Sequence, residues 1–377
     1  MDKIDIDRDG FQPLGKVVNE VVSDVARQIG KPFHAPGIYF GLSDQEYHAD
    51  PALGSTGLKT LLASAPDFWW QSPMNPARDP EKETEAKLFG RAVHKCVLEG
   101  RDAFEGEYAP KPSEDEYPGS LRTVDDLRLF LKQNRLPSSG NKAELIGRAK
   151  TVPGCPVVFD DVVDVANASG KQLLKRDDFN RILAASAFIK ANPNLSGAFS
   201  GGMPEVSIFW EENGVRLKAR HDYLKMNAIS DLKSIRNSMG IDFKAACRNR
   251  IASLNYLLSA EHYCEGRRQM ERLISDGAVY GDHDPKWLKG VARNDAYAFV
   301  LVFWQAEASP ISHGFKLSPG NPLFAHARSE IKNAITIYQL FMREFGTDTA
   351  WILKEPLEEL DQTELPNWWH YKQSVGA

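Results

Sequence analysis

The residues of this chain best placed to do chemistry are two aspartates and a lysine in RLKARHDYLKMNAISDLK, residues 216–233. The stretch reads as two short β-runs, Arg216–Tyr223 and Ala228–Lys233, joined by a turn at Lys225–Asn227. Asp222 lies at the end of the first run and Asp231 near the end of the second. Lys233 follows Asp231 by two residues, so on a strand both project from one face, with Leu232 on the other. A hairpin then carries Asp222 toward Asp231. Carboxylates that close raise the energy of the folded state unless a cation sits between them. Two acids and an ammonium at one sheet edge form the set a hard divalent metal uses in phosphodiester hydrolysis.

Other elements must hold these groups in place. PEVSIFWEENGVRLKARHDYL predicts a hairpin with Asn213-Gly214 as its turn, and Glu205 opens its first strand. Glu205 reads equally as a solvated strand-end acid or as a functional one. Upstream, EAKLFGRAVHKCVLEG (85–100) predicts one helix with Phe89, Val93 and Val97 on a face. Gly90 inside it predicts the close approach of another backbone. His94 lies beside the apolar stripe and reads as a packed or surface residue, or as a metal ligand. Downstream, a long helix is expected with Phe243, Cys247, Ile251, Leu254 and Leu258 as its buried stripe and Tyr256 on a different face. Arg236, Lys244, Arg248 and Arg250 load its beginning with positive charge. Such a run is commonly a solvated face; here it also lies where a DNA backbone would pass.

The bulk numbers fit an ordinary globular protein. The chain has 377 residues, 42% hydrophobic and 26% charged, with a net charge of −5. A polyanion partner is neither advertised nor excluded, since local basic patches suffice for backbone contact. The amino terminus, MDKIDIDRDG, lacks a secretory pattern, and the longest apolar run, AYAFVLVFW at 296–304, is too short to span a bilayer and suits a buried strand. Cys96, Cys155, Cys247 and Cys264 lie far apart, which argues for reduced thiols in a cytoplasmic protein and against a zinc or iron–sulfur cluster. Further helices are expected at Val17–Ile29, from Ser55 as N-cap along Leu58, Leu61 and Leu62, at Asp161–Leu174, at Asp177–Asn192 and over 322–346. Residues 105–118 read as loop. The aromatics Phe68, Trp69 and Trp70 are assigned to the core, and those of the terminal LPNWWHY are expected to dock on the body.

SLRTVDDLRLFLKQNRLPSSGNKAELIGRAK (120–150) predicts two helices, Thr123–Asn134 and Asn141–Lys150, around the link RLPSSG, with a small core of Leu127, Leu131, Leu136, Leu145 and Ile146. It resembles a SAP domain, a helix–link–helix DNA-binding module. The resemblance implies phosphate contacts through Arg135, Lys142 and Arg148, with Lys132 as an outlying candidate. A helical hairpin serving protein contact is the alternative.

The order FGRAVH helix, strand opening on Glu205, RHDYL, SDLKS, then a helix with a late tyrosine resembles the PD-(D/E)XK nuclease superfamily in its RecB-like branch. YHADPALGSTGLKTLLAS and FGRAVHKCVLEG bring it nearest to the exonuclease VIII (RecE-type) nucleases of phages and prophages. The resemblance spans roughly 37–105 and 195–350. It implies an α/β fold, a restriction-endonuclease-like core of a central mixed sheet flanked by helices with the SAP-like module inserted. Four segments follow: an extension (1–36), the first part of the nuclease domain (37–117), the module (118–152), and the catalytic core with the C-terminal part (153–377).

By the same resemblance His94, Asp222, Asp231 and the Leu232 carbonyl ligate a divalent metal, Mg²⁺ with Mn²⁺ substituting. Lys233 orients or deprotonates the attacking water or stabilises charge on the phosphate. Glu205 serves a second metal or a bound water, and Tyr256 approaches the substrate backbone. A lysine beside a dication is expected to have a depressed pKa. Two departures stand out: Ala252 replaces a glutamine many relatives carry one turn before the tyrosine, and His221 replaces the proline of the superfamily's name. The implied activity is a double-stranded DNA exonuclease that resects ends for phage-type recombination, cytoplasmic in a bacterial host. Its implied partners are DNA, a single-strand-annealing recombinase and further copies of itself. The alternatives are a nicking or structure-directed endonuclease, and a DNA-binding scaffold with a degenerate core.

Overall fold

The structure, a computed structural model, describes residues 33–79 and 84–370. The helix expected at Val17–Ile29 lies outside the described residues.

One seven-stranded mixed sheet forms the centre, in the order β7-β1-β4-β5-β6-β8-β9. Its strands are β1 (Gly37–Tyr39), β4 (Gly202–Glu212), β5 (Val215–Lys225), β6 (Ala228–Ile235), β7 (Val279–Tyr280), β8 (Ala298–Gln305) and β9 (Ser312–Leu317). A separate parallel pair, β2 (Tyr108–Pro110) with β3 (Gln172–Leu174), lies outside it. β4 and β5 pair antiparallel along nearly their whole length. Asn213 and Gly214 both have positive φ (49° and 77° for the pair in order), the geometry of a two-residue hairpin turn. β8 is the AFVLVFWQ run and lies parallel to β6, buried on both faces as such a strand must be.

Helices of eight residues or more are α1 (Ser55–Ala63), α2 (Glu85–His94), α3 (Val124–Gln133), α4 (Lys142–Ala149), α5 (Phe159–Ala168), α6 (Arg176–Ala191), α7 (Phe243–Ser253), α8 (Tyr256–Arg268), α9 (Pro285–Arg293) and α10 (Leu323–Phe345). On one side of the sheet α1, α8 and α10 bury Leu58, Leu61, Leu258, Ile331 and Ile335 against Ile208, Leu217 and Phe299. On the other, α2 and α6 bury Val93, Ile182 and Ile189 against Leu232, Val302 and Trp304. Leu121, Leu127, Leu131, Leu145, Ala149 and Val158 form a core of their own around α3 and α4.

Several boundaries differ from expectation for local reasons. Gly54, not Ser55, is the N-cap of α1, without a side-chain cap. Pro66 sits in the first turn of the next short helix, Ala65–Gln71, where its missing N–H is harmless. Trp69 is buried and Phe68 packs on the core, whereas Trp70 is exposed. The expected loop at 105–118 contains the end of a helix, Arg101–Glu107, and β2. The helix expected to run to Leu174 stops at Ala168, and 172–174 becomes β3. The long helix through Leu258 is broken at Leu254–Asn255: Asn255 adopts φ 44°, and Leu254 is exposed rather than part of the stripe. Trp368 in the terminal aromatic run is exposed as well, and Trp369 meets His370 edge-on.

Candidate active site

Asp231 and Lys233 leave one face of β6, and Lys233 Nζ lies 2.7 Å from Asp231 Oδ2. Asp231 is 1% exposed, and its other oxygen, Oδ1, is buried with no hydrogen-bond partner among the described residues. Burial raises this carboxyl above the usual carboxylate range; Lys233 opposes the shift and Asp222 adds to it. Burial would lower the Lys233 pKa, but the charges of Asp231 and Asp222 prevail and hold it above the ordinary lysine range.

β5 and β6 pair through Tyr223↔Ser230 and Leu224↔Ile229 and then part. Where the next ladder bond would fall, the Leu232 N–H donates instead to Asp222 Oδ2 at 2.7 Å. The same point disturbs β4. Pro204↔Tyr223 and Val206↔His221 are paired, but the ladder skips Glu205 and Asp222 between them. Glu205 has φ 51°, a left-handed conformation that costs a non-glycine residue on the order of 1–3 kcal/mol. Core-facing alternation also slips there, since Leu217, Ala219 and Leu224 share one core while Tyr223 joins the other.

His94 closes α2, and the chain continues as a π-helical turn, Lys95–Glu99, rather than as the single expected α-helix. Its imidazole sits between two acids: Nδ1 is 3.5 Å from Glu205 Oε1 and Nε2 is 3.9 Å from Asp222 Oδ2. Burial disfavours the imidazolium, yet Asp222 and Glu205 together win and raise its pKa to about 9. Gly90, one turn earlier, does not serve a close backbone approach: a Cβ there would meet open space.

Tyr256, at the start of α8, places its ring 5.4 Å from Lys233 Nζ. Two further groups lie at the site. Lys59 on α1 reaches the same ring, its Nζ also 5.4 Å from the Tyr256 centroid. Tyr263 is buried within the field of Asp231 and Lys233, close to Ser55. A helical spacing of seven from Tyr256 could have flagged Tyr263. A cavity of about 320 Å³ opens beside Ser55 and Tyr263. The segment before α1, residues 42–50, is pinned by alternate cations of β5. Arg216 meets Asp50 at 3.2 Å, Lys218 donates to the Tyr47 and Asp50 carbonyls, and Arg220 donates to those of Leu42 and Ser43.

The expected phosphate-contacting residues are spread. Arg250 is half-buried and close enough to Tyr256 to influence it electrostatically. Lys244 and Arg248 are exposed and flank His313. Arg236, just beyond β6, lies 3.6 Å from Glu307. Around α3 and α4, Lys132 and Arg135 are exposed. Lys142 pairs with Asp160 at 2.7 Å, and Arg148 holds the link by donating to the Pro137 and Ser139 carbonyls.

Among the described residues no three His, Cys, Asp or Glu side chains already converge as a closed metal cage. The donors nevertheless suit a hard dication that keeps several waters and takes one or two carboxylates. Asp231 Oδ1 is a buried acceptor without a donor, and His94 and Asp222 face one another across the same notch.

Residues 55–275, more than half of the chain, match the model of a family described as a PDDEXK-like domain of unknown function (DUF3799). The chain belongs to this family. Its mixed sheet between two helical layers is the expected PD-(D/E)XK-like architecture. No curated protein matches the DUF3799 chain. A solved structure of a "Putative exonuclease" from Eubacterium rectale aligns with a TM-score of 0.44 and 12% identity, over 85% of this chain and 97% of that one. A likeness of that size carries no argument about activity. No helix among the described residues is long and apolar enough to cross a membrane.

Proposed function

We propose that this DUF3799 protein is a divalent-metal-dependent deoxyribonuclease, acting as an exonuclease on double-stranded DNA. One observation carries the reading: the buried Asp231 has one oxygen on Lys233 and the other on nothing, beside a second acid and an imidazole. A dication would be held by Asp231, Asp222 and His94, with the Leu232 carbonyl adding an oxygen. When bound, it supplies charge neutralisation at the phosphate and a water acidic enough to attack near neutral pH. Lys233, tied to Asp231, holds a proton beside the attacked phosphate and orients the incoming water. Glu205 steers the His94 ring through Nδ1. Tyr256 bounds the path of the substrate strand.

Mg²⁺ as the physiological ion, end resection for recombination, a single-strand-annealing recombinase as partner and a homo-oligomer all rest on the likeness to RecE-type nucleases. The exposed Lys132 and Arg135 support a DNA-contacting role for the α3–α4 module. A second reading, a DNA-binding scaffold with a degenerate core, is favoured by the lack of a closed three-donor cage among the described residues.

Purified wild type, Asp231→Asn and Lys233→Ala, assayed on linear and covalently closed DNA with Mg²⁺, decide the matter. The proposal expects degradation of linear DNA by wild type alone, with closed circles untouched. Cleaved circles would make the enzyme an endonuclease, and wild-type rates in either variant would remove the assigned mechanism.

A further inference from the structure

Lys59 is a half-buried cation that the folded chain alone does not need. Its Nζ donates to the Leu254 carbonyl at 2.8 Å, and among the described residues no carboxylate stands within ion-pair distance of it. A neutral amide would hold that carbonyl as well, without the desolvation of an ammonium. The cost is compounded by position. Lys59 and Lys233 each lie 5.4 Å from the centre of the Tyr256 ring, so two like charges share one phenol. Burial and then Lys233 drive the Lys59 pKa down to about 8, against weaker support from Asp231 and Glu330. Lys233 already has Asp231 as its counter-ion, whereas Lys59 has only a carbonyl dipole. A cation set in this way is relieved when an anion arrives from outside the chain.

We propose that Lys59 is a substrate-contacting residue that binds a nonbridging phosphate oxygen of the DNA strand beside Tyr256. The inference rests on the nuclease reading and deepens it. Lys233 and the acids act at the phosphate being cleaved, and Lys59 grips a neighbouring phosphate of the same strand. Its tie to Leu254 orders the side chain in advance, and the chain leading into α1 is held by Lys218 and Arg216.

The test compares full-length wild type, Lys59→Gln and Lys59→Arg, binding a short blunt duplex in Ca²⁺ over a range of salt and cleaving it in Mg²⁺. Loss of one charged phosphate contact should weaken binding by roughly tenfold in Lys59→Gln and flatten the salt slope by about one. Lys59→Arg should recover most of both. Mn²⁺ binding to the DNA-free protein should be unchanged in either variant. Wild-type affinity and salt slope in Lys59→Gln, with only a lowered melting temperature, would make Lys59 a strut for Leu254 and overturn the proposal. A wild-type protein that neither binds nor cleaves the duplex would overturn the nuclease reading, and this inference with it.

Discussion

Asp222 Oδ2 accepts the main-chain N–H of Leu232 at 2.7 Å and thereby replaces a rung of the β5–β6 ladder. One carboxylate oxygen thus does two jobs: Oδ2 satisfies a buried donor, and it also lies 3.9 Å from His94 Nε2. The jobs are separable. Asp222→Asn keeps an oxygen for the Leu232 N–H, whereas Asp222→Ala leaves that donor unpaired at a cost of about 1–3 kcal/mol. Chemical denaturation should therefore find Asp222→Ala less stable than Asp222→Asn by that amount, with neither variant cleaving DNA. Equal stability would mean that the seam does not depend on the side chain.

Divalent metal should stabilise the protein through Asp231. An ion that binds only the folded state adds about 2.7 kcal/mol at a hundredfold excess over its dissociation constant. Thermal melts with and without Mn²⁺ should show a rise for wild type and none for Asp231→Asn. A rise of equal size in the variant would place the ion elsewhere.

Metal affinity should climb with pH across the range in which His94 loses its proton. Its folded pKa is raised to about 9 from an ordinary 6.5, because Asp222 and Glu205 outweigh burial and the Lys233 charge. A raised pKa favours the folded state most below about 6.5 and ceases to do so as pH passes about 9. Without metal, then, this contribution to stability fades from pH 6.5 to 9. Metal must displace the same proton, so its binding strengthens over that window and releases protons. Calorimetry in two buffers of different ionisation enthalpy reads this directly, and His94→Gln should abolish the dependence.

Glu205 exchanges backbone comfort for placement. At φ 51° a glycine is at ease and an alanine is not, so Glu205→Gly should be more stable than Glu205→Ala by about 1 kcal/mol. Both should lose the carboxylate that steers His94 and fall in activity together. A glycine variant less stable than the alanine one would mean that the side chain does not bear this strain.

Charge removal in the α3–α4 module should separate folding from binding. Arg148→Ala strips two carbonyls of the link of their donor and should lower the stability of the module. Lys132→Ala and Arg135→Ala should leave stability alone and reduce only the salt dependence of DNA binding, by about one unit of slope each. Unchanged slopes would remove the module's DNA role.

What could be read from sequence was whatever is encoded within a few residues. The Asn213-Gly214 turn, the same-face placement of Asp231 and Lys233 and the capping boxes at Thr123 and Asn141 all stand as local chemistry dictates. The order of motifs put His94, Glu205, Asp222, Asp231 and Tyr256 on a common list, and the fold brings them to one notch. The features missed depend on distant partners. The break before Tyr256 lies in an otherwise acceptable helical pattern. It is held by Glu330 on the Asn255 amide and Lys59 on the Leu254 carbonyl, 75 and 195 residues away in sequence. Periodicity could not reveal Lys59, because its neighbours across the notch, Leu254, Tyr256 and Lys233, are distant in sequence. Gly90 misled for the converse reason: a glycine signals room but does not say whether backbone or open space fills it.

The two ends of the helical module meet at a bridge between Leu121 and Val158, where Leu121 N–H donates to the Val157 carbonyl and Phe159 N–H to that of Leu121. Its entry and exit are therefore side by side. A segment with adjoining ends and its own hydrophobic centre can be excised or grafted with little chain left to close. Cutting at 120 and 159, outside Leu121 and Val158, should give a shortened enzyme and a free-standing fragment from one gene, each open to study without the other.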